Sequence, residues 1–199
     1  MTKRQKLDPF VIQYDEKSKM LSSYSVKNDK KLSDISDFFF DQKEVKKILE
    51  SGKNPLVYTY HDKVQPEIPG EFSFGITIIY PGRIGEEFYM TRGHFHGKND
   101  GEFYMGLEGE GVLILEDQDT RKAQAVYFTR NSLPYIPAGY GHRVVNVGRE
   151  PLIFLTVEAA AGSHDYEIIR KEGFGILVLK DPNSEKGYKI TPNPSRAKN

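Results

Sequence analysis

TRGHFHGKNDGEFYMGLEGEG, residues 91–111, places His94 and His96 one residue apart and then, beyond the polar loop KNDG, Glu102. In an extended strand, residues i and i+2 leave the same face, so the two imidazoles aim at one point. A chain that turns at the loop and runs back antiparallel brings the Glu102 carboxylate to that point. Downstream, PAGYGHRVVN (137–146) adds His142 behind a turn containing Pro137, Gly139 and Gly141. Three imidazoles and one carboxylate make a ligand set suited to Fe(II), Mn(II), Zn(II), Ni(II) or Co(II). A lone histidine is more often a satisfied core or surface residue. Only five histidines occur in the 199 residues, so three in this one pattern carry information.

The surrounding composition favours strands. Twelve Tyr, 12 Phe, 18 Gly and 11 Pro suit a strand-rich chain with many tight turns. The 28 basic and 28 acidic side chains cancel, which gives no reason to expect a nucleic-acid or membrane partner. Absence of Cys excludes disulfides, thiolate metal sites and cysteine nucleophiles. The opening MTKRQKLDPF has no apolar run behind it, so neither a signal peptide nor a membrane span is expected, and the expected location is cytoplasmic.

Residues 1–40 read as a polar, partly extended arm with a charged turn from Lys27 to Lys31. A short helix is predicted over about 41–51. Asp41 is its cap, Glu44 completes a capping box, Val45, Ile48 and Leu49 form its apolar stripe, and Gly52 ends it. After Asn54-Pro55 come short strands separated by turns: 56–62, 72–80, 86–91, 102–108, 111–117, 123–129, 133–136, 142–147, 151–157 and 175–179. Many short strands at regular spacing predict a mainly β sandwich or small barrel. The expected organisation is a single domain, with an arm and helix over 1–55, a barrel over 56–180 and a polar tail over 181–199.

Glu102 is followed after six residues by Gly109, and the later segment has the form P-x-G-x-x-H-x-x-x-N from Pro137 to Asn146. These two motifs resemble those of the cupin superfamily, whose fold is a double-stranded β-helix, or jelly-roll barrel. Five residues separate His96 from Glu102, longer than the usual cupin spacing. Asn131 stands where a Gly is expected before Pro137, and Asn also enters the left-handed region. Of Glu102, Glu108 and Glu110, strand alternation and the Gly109 spacing favour Glu102. The runs GITIIYPGRIGEEFYMTRGHFHGK, YIPAGYGHRVVNVG and AAAGSHDYEIIRKEGF are similar to the cupin-type phosphoglucose isomerases, with likeness from about Leu32 to Asn193-Pro194. That resemblance implies interconversion of glucose 6-phosphate and fructose 6-phosphate, one divalent metal per subunit with Fe(II) placed first, and a homodimer.

A phosphorylated sugar needs an anion site beside the metal. Thr91, Arg92 and Gly93 offer a hydroxyl, a guanidinium and a backbone N–H immediately before the ligand pair. The resemblance adds Thr77 and Tyr58 as phosphate contacts. Aldose–ketose conversion needs a proton moved through a cis-enediol, or a hydride shifted between adjacent carbons. Glu102 is the candidate base and also a ligand, a double duty that weakens it as a base. Tyr104, on the same strand face, would position a sugar hydroxyl, and His164 in S-H-D-Y would assist ring opening. Glu158 stands where relatives can carry an active-site Tyr, leaving an alternative base, an altered metal preference or a solvent-facing side chain open. His61 reads as a structural strand-end residue. Two other functions fit the same ligand set: a non-haem iron dioxygenase and a non-catalytic sugar-phosphate-binding cupin. Mannose 6-phosphate, differing only at C2, is the natural second substrate.

Overall fold

Alternation along Glu102–Glu108 decides how the strands stack. Glu102, Tyr104 and Gly106 are buried, while Phe103 between them is 43% exposed. A face that buries one side of every strand must meet another such face. In the computed structural model, which describes residues 7–96 and 100–196, two antiparallel sheets do this. One has six strands in the order Tyr135–Ile136, Glu102–Glu108, Leu152–Ala159, Phe72–Ile79, Leu56–Lys63 and Val26–Lys31. The other has five: Ala123–Thr129, Glu110–Asp117, Tyr140–Asn146, His94–His96 and His164–Asp165. Tyr104 and Phe154 of the first meet Phe128 of the second, with ring centroids 5.4 Å apart for Phe128–Phe154. The fold is mainly β, with the antiparallel two-sheet arrangement of a jelly roll. Lys98 and Asn99 of the predicted KNDG loop, the opening MTKRQK and the closing AKN lie outside the described residues.

Every strand expected after Asn54-Pro55 forms, with shifts of one or two residues at most ends. The 86–91 strand is an exception: only Glu87–Phe88 is a strand, with Met90 bridging Val145. The helix spans Gln42–Glu50, and the Asp41 side chain accepts the Glu44 N–H at 3.0 Å. The expected capping box is only half present, because the Glu44 carboxylate turns to Lys47 at 3.0 Å. Gly52 closes the helix at φ +78°, and Asn131 sits at φ +66°, as its place in the motif predicts.

The two ends differ from their reading. Val26–Lys31 is an edge strand paired to Leu56–Lys63, where a charged turn was expected. It carries charge on both faces, with Lys30 over the Tyr60 ring and Asp29 accepting from Thr59, and its lysines sit at an edge where charge discourages further pairing. Tyr14–Asp15 and Met20–Leu21 form a small hairpin, from which Leu21 packs on Ile76 and Ile153. The tail is likewise not free: Tyr188–Pro192 pairs with Ile176–Lys180 in a third sheet, which also holds Arg83–Ile84 and Glu87–Phe88. A second helix, Glu167–Glu172, had no periodic signal long enough to predict it. The main core joins Leu32, Val45, Leu152, Phe154, Ile169 and Tyr188, while Leu21 of the hairpin belongs to a separate small cluster. Full burial of side chains such as Leu152 and Phe154 contributes about 1.5–3 kcal/mol each.

Asn193 ties the tail down. It is 4% exposed, and its Nδ2 donates to the Phe174 carbonyl at 2.8 Å. Asn193→Ala leaves that buried carbonyl without its donor and is expected to cost roughly 1–3 kcal/mol. Urea unfolding measures this, and a midpoint equal to the wild type would show that the tail does not stabilise the fold.

Candidate active site

Four imidazoles share one face of the five-stranded sheet because of register. His142 lies opposite His94 in one pair of strands, and His164 lies opposite His96 in the next. Glu102 and Tyr104 come from the inner face of the other sheet. Between the sheets, His96 Nε2 is 2.7 Å from Glu102 Oε2 and 2.8 Å from His142 Nε2. His94 Nε2 stands 3.2 Å from both His96 Nε2 and His142 Nε2, and His142 Nε2 is 3.0 Å from Glu102 Oε2. The three Nε2 atoms cannot all be hydrogen-bonded to one another. Each atom is either donor or acceptor, so at least one side of the triangle joins two of a kind.

A cation resolves that conflict. An ion about 2.1 Å from nitrogen ligands at right angles to one another separates them by about 3.0 Å. The observed spacings, 2.7–3.2 Å, are those of ligands around a shared ion. The expected set of His94, His96, Glu102 and His142 therefore fits a divalent metal in donor type and in geometry. Burial and then the neighbouring His142 and His164 push His94 well below the usual imidazole range, which keeps it neutral as a ligand must be. Burial works against the Glu102 carboxylate, but His142 and His96 hold it down at about 2. Tyr104 Oη lies 2.9 Å from His142 Nδ1, so with Nε2 turned to the ion, Nδ1–H donates to the phenol. Burial and then Glu102 push Tyr104 well above the phenol range, keeping it neutral. Its hydrogen bond is thus to His142, and Tyr104 also lines the cavity in which the sequence reading has it position a sugar hydroxyl.

The cluster opens on a cavity of about 390 Å³. Tyr58, Thr77, Thr91, Arg92 and Gly93, all expected from sequence, line it together with His164. Thr91 Oγ1 accepts the Val144 N–H at 3.2 Å, which leaves its own proton free to donate. Gly93 has φ +71°, and a Cβ there would lie 2.6 Å from the His142 carbonyl, so no side chain fits. Arg92 lays its guanidinium 4.3 Å from the centre of the Tyr166 ring, and its buried Nε has no hydrogen-bond partner. His164 Nε2 is 2.8 Å from Glu158 Oε2. Burial lowers the His164 affinity for a proton, but Glu158 more than offsets this and raises its pKa. Glu158, left open in the sequence reading, lines the cavity beside its strand partner Glu102 with its side chain 27% exposed.

Sequence reading missed three residues here. Tyr166 lies two positions beyond His164 in the same quoted segment, which was the available signal. Asp62 lines the cavity from the end of a strand whose alternation already placed Tyr58 and Tyr60 on that face. Arg143 had no signal: it is 2% exposed and grips the Arg92 carbonyl through Nε at 3.1 Å and Nη2 at 2.7 Å. His61 is structural, as read: it is 1% exposed near the end of Leu56–Lys63, and its Nε2 accepts the Leu21 N–H at 3.2 Å.

The Tyr104 contact makes a testable demand. Tyr104→Phe removes the acceptor for His142 Nδ1–H and is expected to weaken metal affinity by about 10–100-fold. Competition with a chromophoric chelator measures it, with far-ultraviolet circular dichroism as the check on folding. Unchanged affinity would mean that the phenol does not orient the ligand.

Known proteins match along most of the chain. The family model described as glucose-6-phosphate isomerase matches residues 29–195. A glucose-6-phosphate isomerase of Pyrococcus furiosus is 34% identical over 188 residues, 94% of this chain and 96% of the relative. One from Pyrococcus horikoshii is 36% identical over 166 residues, 83% of this chain and 85% of the relative. A bacterial one from Sinorhizobium medicae is 30% identical over 189 residues, 94% of this chain and 87% of the relative. Oxalate decarboxylase of Bacillus subtilis covers 54% of this chain and 28% of its own at 20% identity, with a TM-score of 0.44, too slight a likeness to argue from. On the family model and the near full-length relatives, the chain belongs to the glucose-6-phosphate isomerase family.

Proposed function

We propose that this enzyme interconverts glucose 6-phosphate and fructose 6-phosphate in glycolysis or gluconeogenesis, with one divalent metal per subunit. The observation that carries the reading is the convergence of His94, His96, Glu102 and His142 on a cavity that also holds Thr77, Thr91 and Arg92. A bound ion would act as a Lewis acid toward the sugar's O1 and O2. Fe(II) is placed first, with Mn(II), Zn(II), Ni(II) and Co(II) as alternatives, because a nitrogen–oxygen ligand set accepts all of them.

The chain's own residues divide the work. Arg92, Thr91, Thr77 and Tyr58 bind the phosphate, supported by their convergence on one cavity and by the free Thr91 proton. Phosphate fixed there sets the carbonyl end of the open sugar against the ligand cluster. His164, held by Glu158, moves a proton at the ring oxygen during opening. For the proton route, Glu102 takes the C2 proton and returns it to C1, and Glu158 stands ready as the carboxylate without a ligand's double duty. The hydride route needs no base at carbon.

We expect a cytoplasmic homodimer. Among the described residues no helix is long and apolar enough to cross a membrane. The outer face of the six-stranded sheet exposes Phe72, Phe103 and Tyr135 at 56%, 43% and 66%, apolar surface that a second subunit would cover. Light scattering reads the assembly, and a monomer's mass would remove the dimer.

The deciding experiment follows fructose 6-phosphate conversion, coupled to glucose-6-phosphate dehydrogenase, on chelator-stripped protein with each metal restored in turn. Turnover is expected to return with metal and to fall at least about 100-fold in His142→Ala, the scale of losing a transition-state electrostatic contact. Stoichiometric metal binding without turnover would reject the isomerase; oxygen uptake would then point to a dioxygenase, and ligand binding alone to a sensor. The same assay with mannose 6-phosphate tests discrimination at C2.

A further inference from the structure

We propose that Asp62 is a substrate-binding residue, accepting hydrogen bonds from sugar hydroxyls at the end of the cavity away from Arg92. The inference rests on the isomerase reading and adds to it a second residue on the strand that carries Tyr58.

Three observations carry it. The first is placement. Asp62 belongs to Leu56–Lys63 and lines the same cavity as the ligand cluster. Register sets Asp62 opposite Gly75, Gly75 opposite Thr156, and Thr156 opposite Tyr104, a single row across four strands. Gly75 leaves the second place in that row empty. A Cβ there would lie 1.8 Å from Asp62 Oδ1, so the carboxylate lies down over the glycine. The reason for glycine at this position is therefore space and not backbone conformation.

The second observation is that the fold makes no use of this carboxylate. No hydrogen bond or ion pair among the described residues engages either oxygen, and neither is sealed from the cavity. The third is its cost. Burial, then Glu158 and Glu102, push the Asp62 carboxyl up to about 7, and His164 alone pulls the other way. An uncompensated carboxylate beside two others destabilises a protein. A polyhydroxylated ligand offsets that cost, because an ionised carboxylate accepts from two hydroxyls at once. The same charge repels a phosphate. The cavity therefore has an anion-accepting end at Arg92 and Thr91, and a hydroxyl-accepting end at Asp62 and Glu158, which fixes the direction of the bound sugar.

The test uses the metal-loaded protein and three variants, Asp62→Asn, Asp62→Ala and Gly75→Ala. Each is measured for metal content, melting temperature with and without fructose 6-phosphate, and kcat and KM. Asp62→Ala is expected to raise KM by about tenfold or more, from loss of hydrogen bonds to a charged acceptor. Its fructose 6-phosphate increment in melting temperature shrinks accordingly, while metal content holds. Without ligand at pH 8, Asp62→Asn melts no lower than the wild type, since only repulsion is removed. Gly75→Ala keeps the carboxylate but displaces it, and raises KM in the same direction. Wild-type KM and ligand increment in Asp62→Ala would overturn the inference. So would a fall in ligand-free melting temperature in both Asp62 variants, which would assign Asp62 to the fold. A wild type that fructose 6-phosphate stabilises but that does not convert it rejects the isomerase alone, and its melts still read Asp62. A wild type that neither binds nor converts it rejects both.

Discussion

Three imidazole nitrogens and a carboxylate oxygen, with five of their six separations at 2.7–3.2 Å, form a cluster inside a β fold that is the constraint on which the rest depends. Buried polar atoms need partners, and these cannot fully satisfy one another. An ion between them turns a cost into a gain, and only if both sheets are in register. His94, His96 and His142 come from one sheet and Glu102 from the other, so the cluster measures how the two sheets are set. The Tyr104–His142 contact at 2.9 Å repeats that link one layer out.

Behind the cluster lies a support built on the outer side of the five-stranded sheet. Arg143 is fully buried, with its guanidinium 5.0 Å from the centre of the Phe174 ring, and it binds the Arg92 carbonyl. Burial lowers its pKa to about 10, with Glu87 acting against the fall. A charge at that depth is costly unless its donors are used, and here they fix the backbone just before Gly93. The tail contributes through Asn193, which binds the Phe174 carbonyl. The C-terminal tail thus braces Phe174, against which Arg143 lies behind the segment that presents Thr91, Arg92 and His94.

Much of this was legible from local pattern. Strand alternation on Glu102–Glu108, the HxH pair and the Pro/Gly turn before His142 specify which side chains share a face. They sufficed for the mainly β fold and for the convergence of His94, His96, Glu102 and His142. Asn131 in the left-handed region likewise followed from a motif position. The edge strand Val26–Lys31 and the strand Tyr188–Pro192 did not follow, because their polar sequences have little period-2 contrast and form by pairing to a neighbour already in place.

What the sequence determined by itself is therefore what short-range geometry encodes: strand faces, turn positions, donor chemistry and the likeness to a family. Tertiary structure alone decided which faces meet. Register between distant strands put His164 opposite His96, laid Asp62 over Gly75 and brought Glu158 level with Glu102. It also took Arg143, an unremarkable letter beside a histidine, and buried it under the turn at Arg92 and Gly93. Hydrogen-bonded pairing between strands far apart in the chain is a property of the packed sheets, and no window of sequence contains both partners.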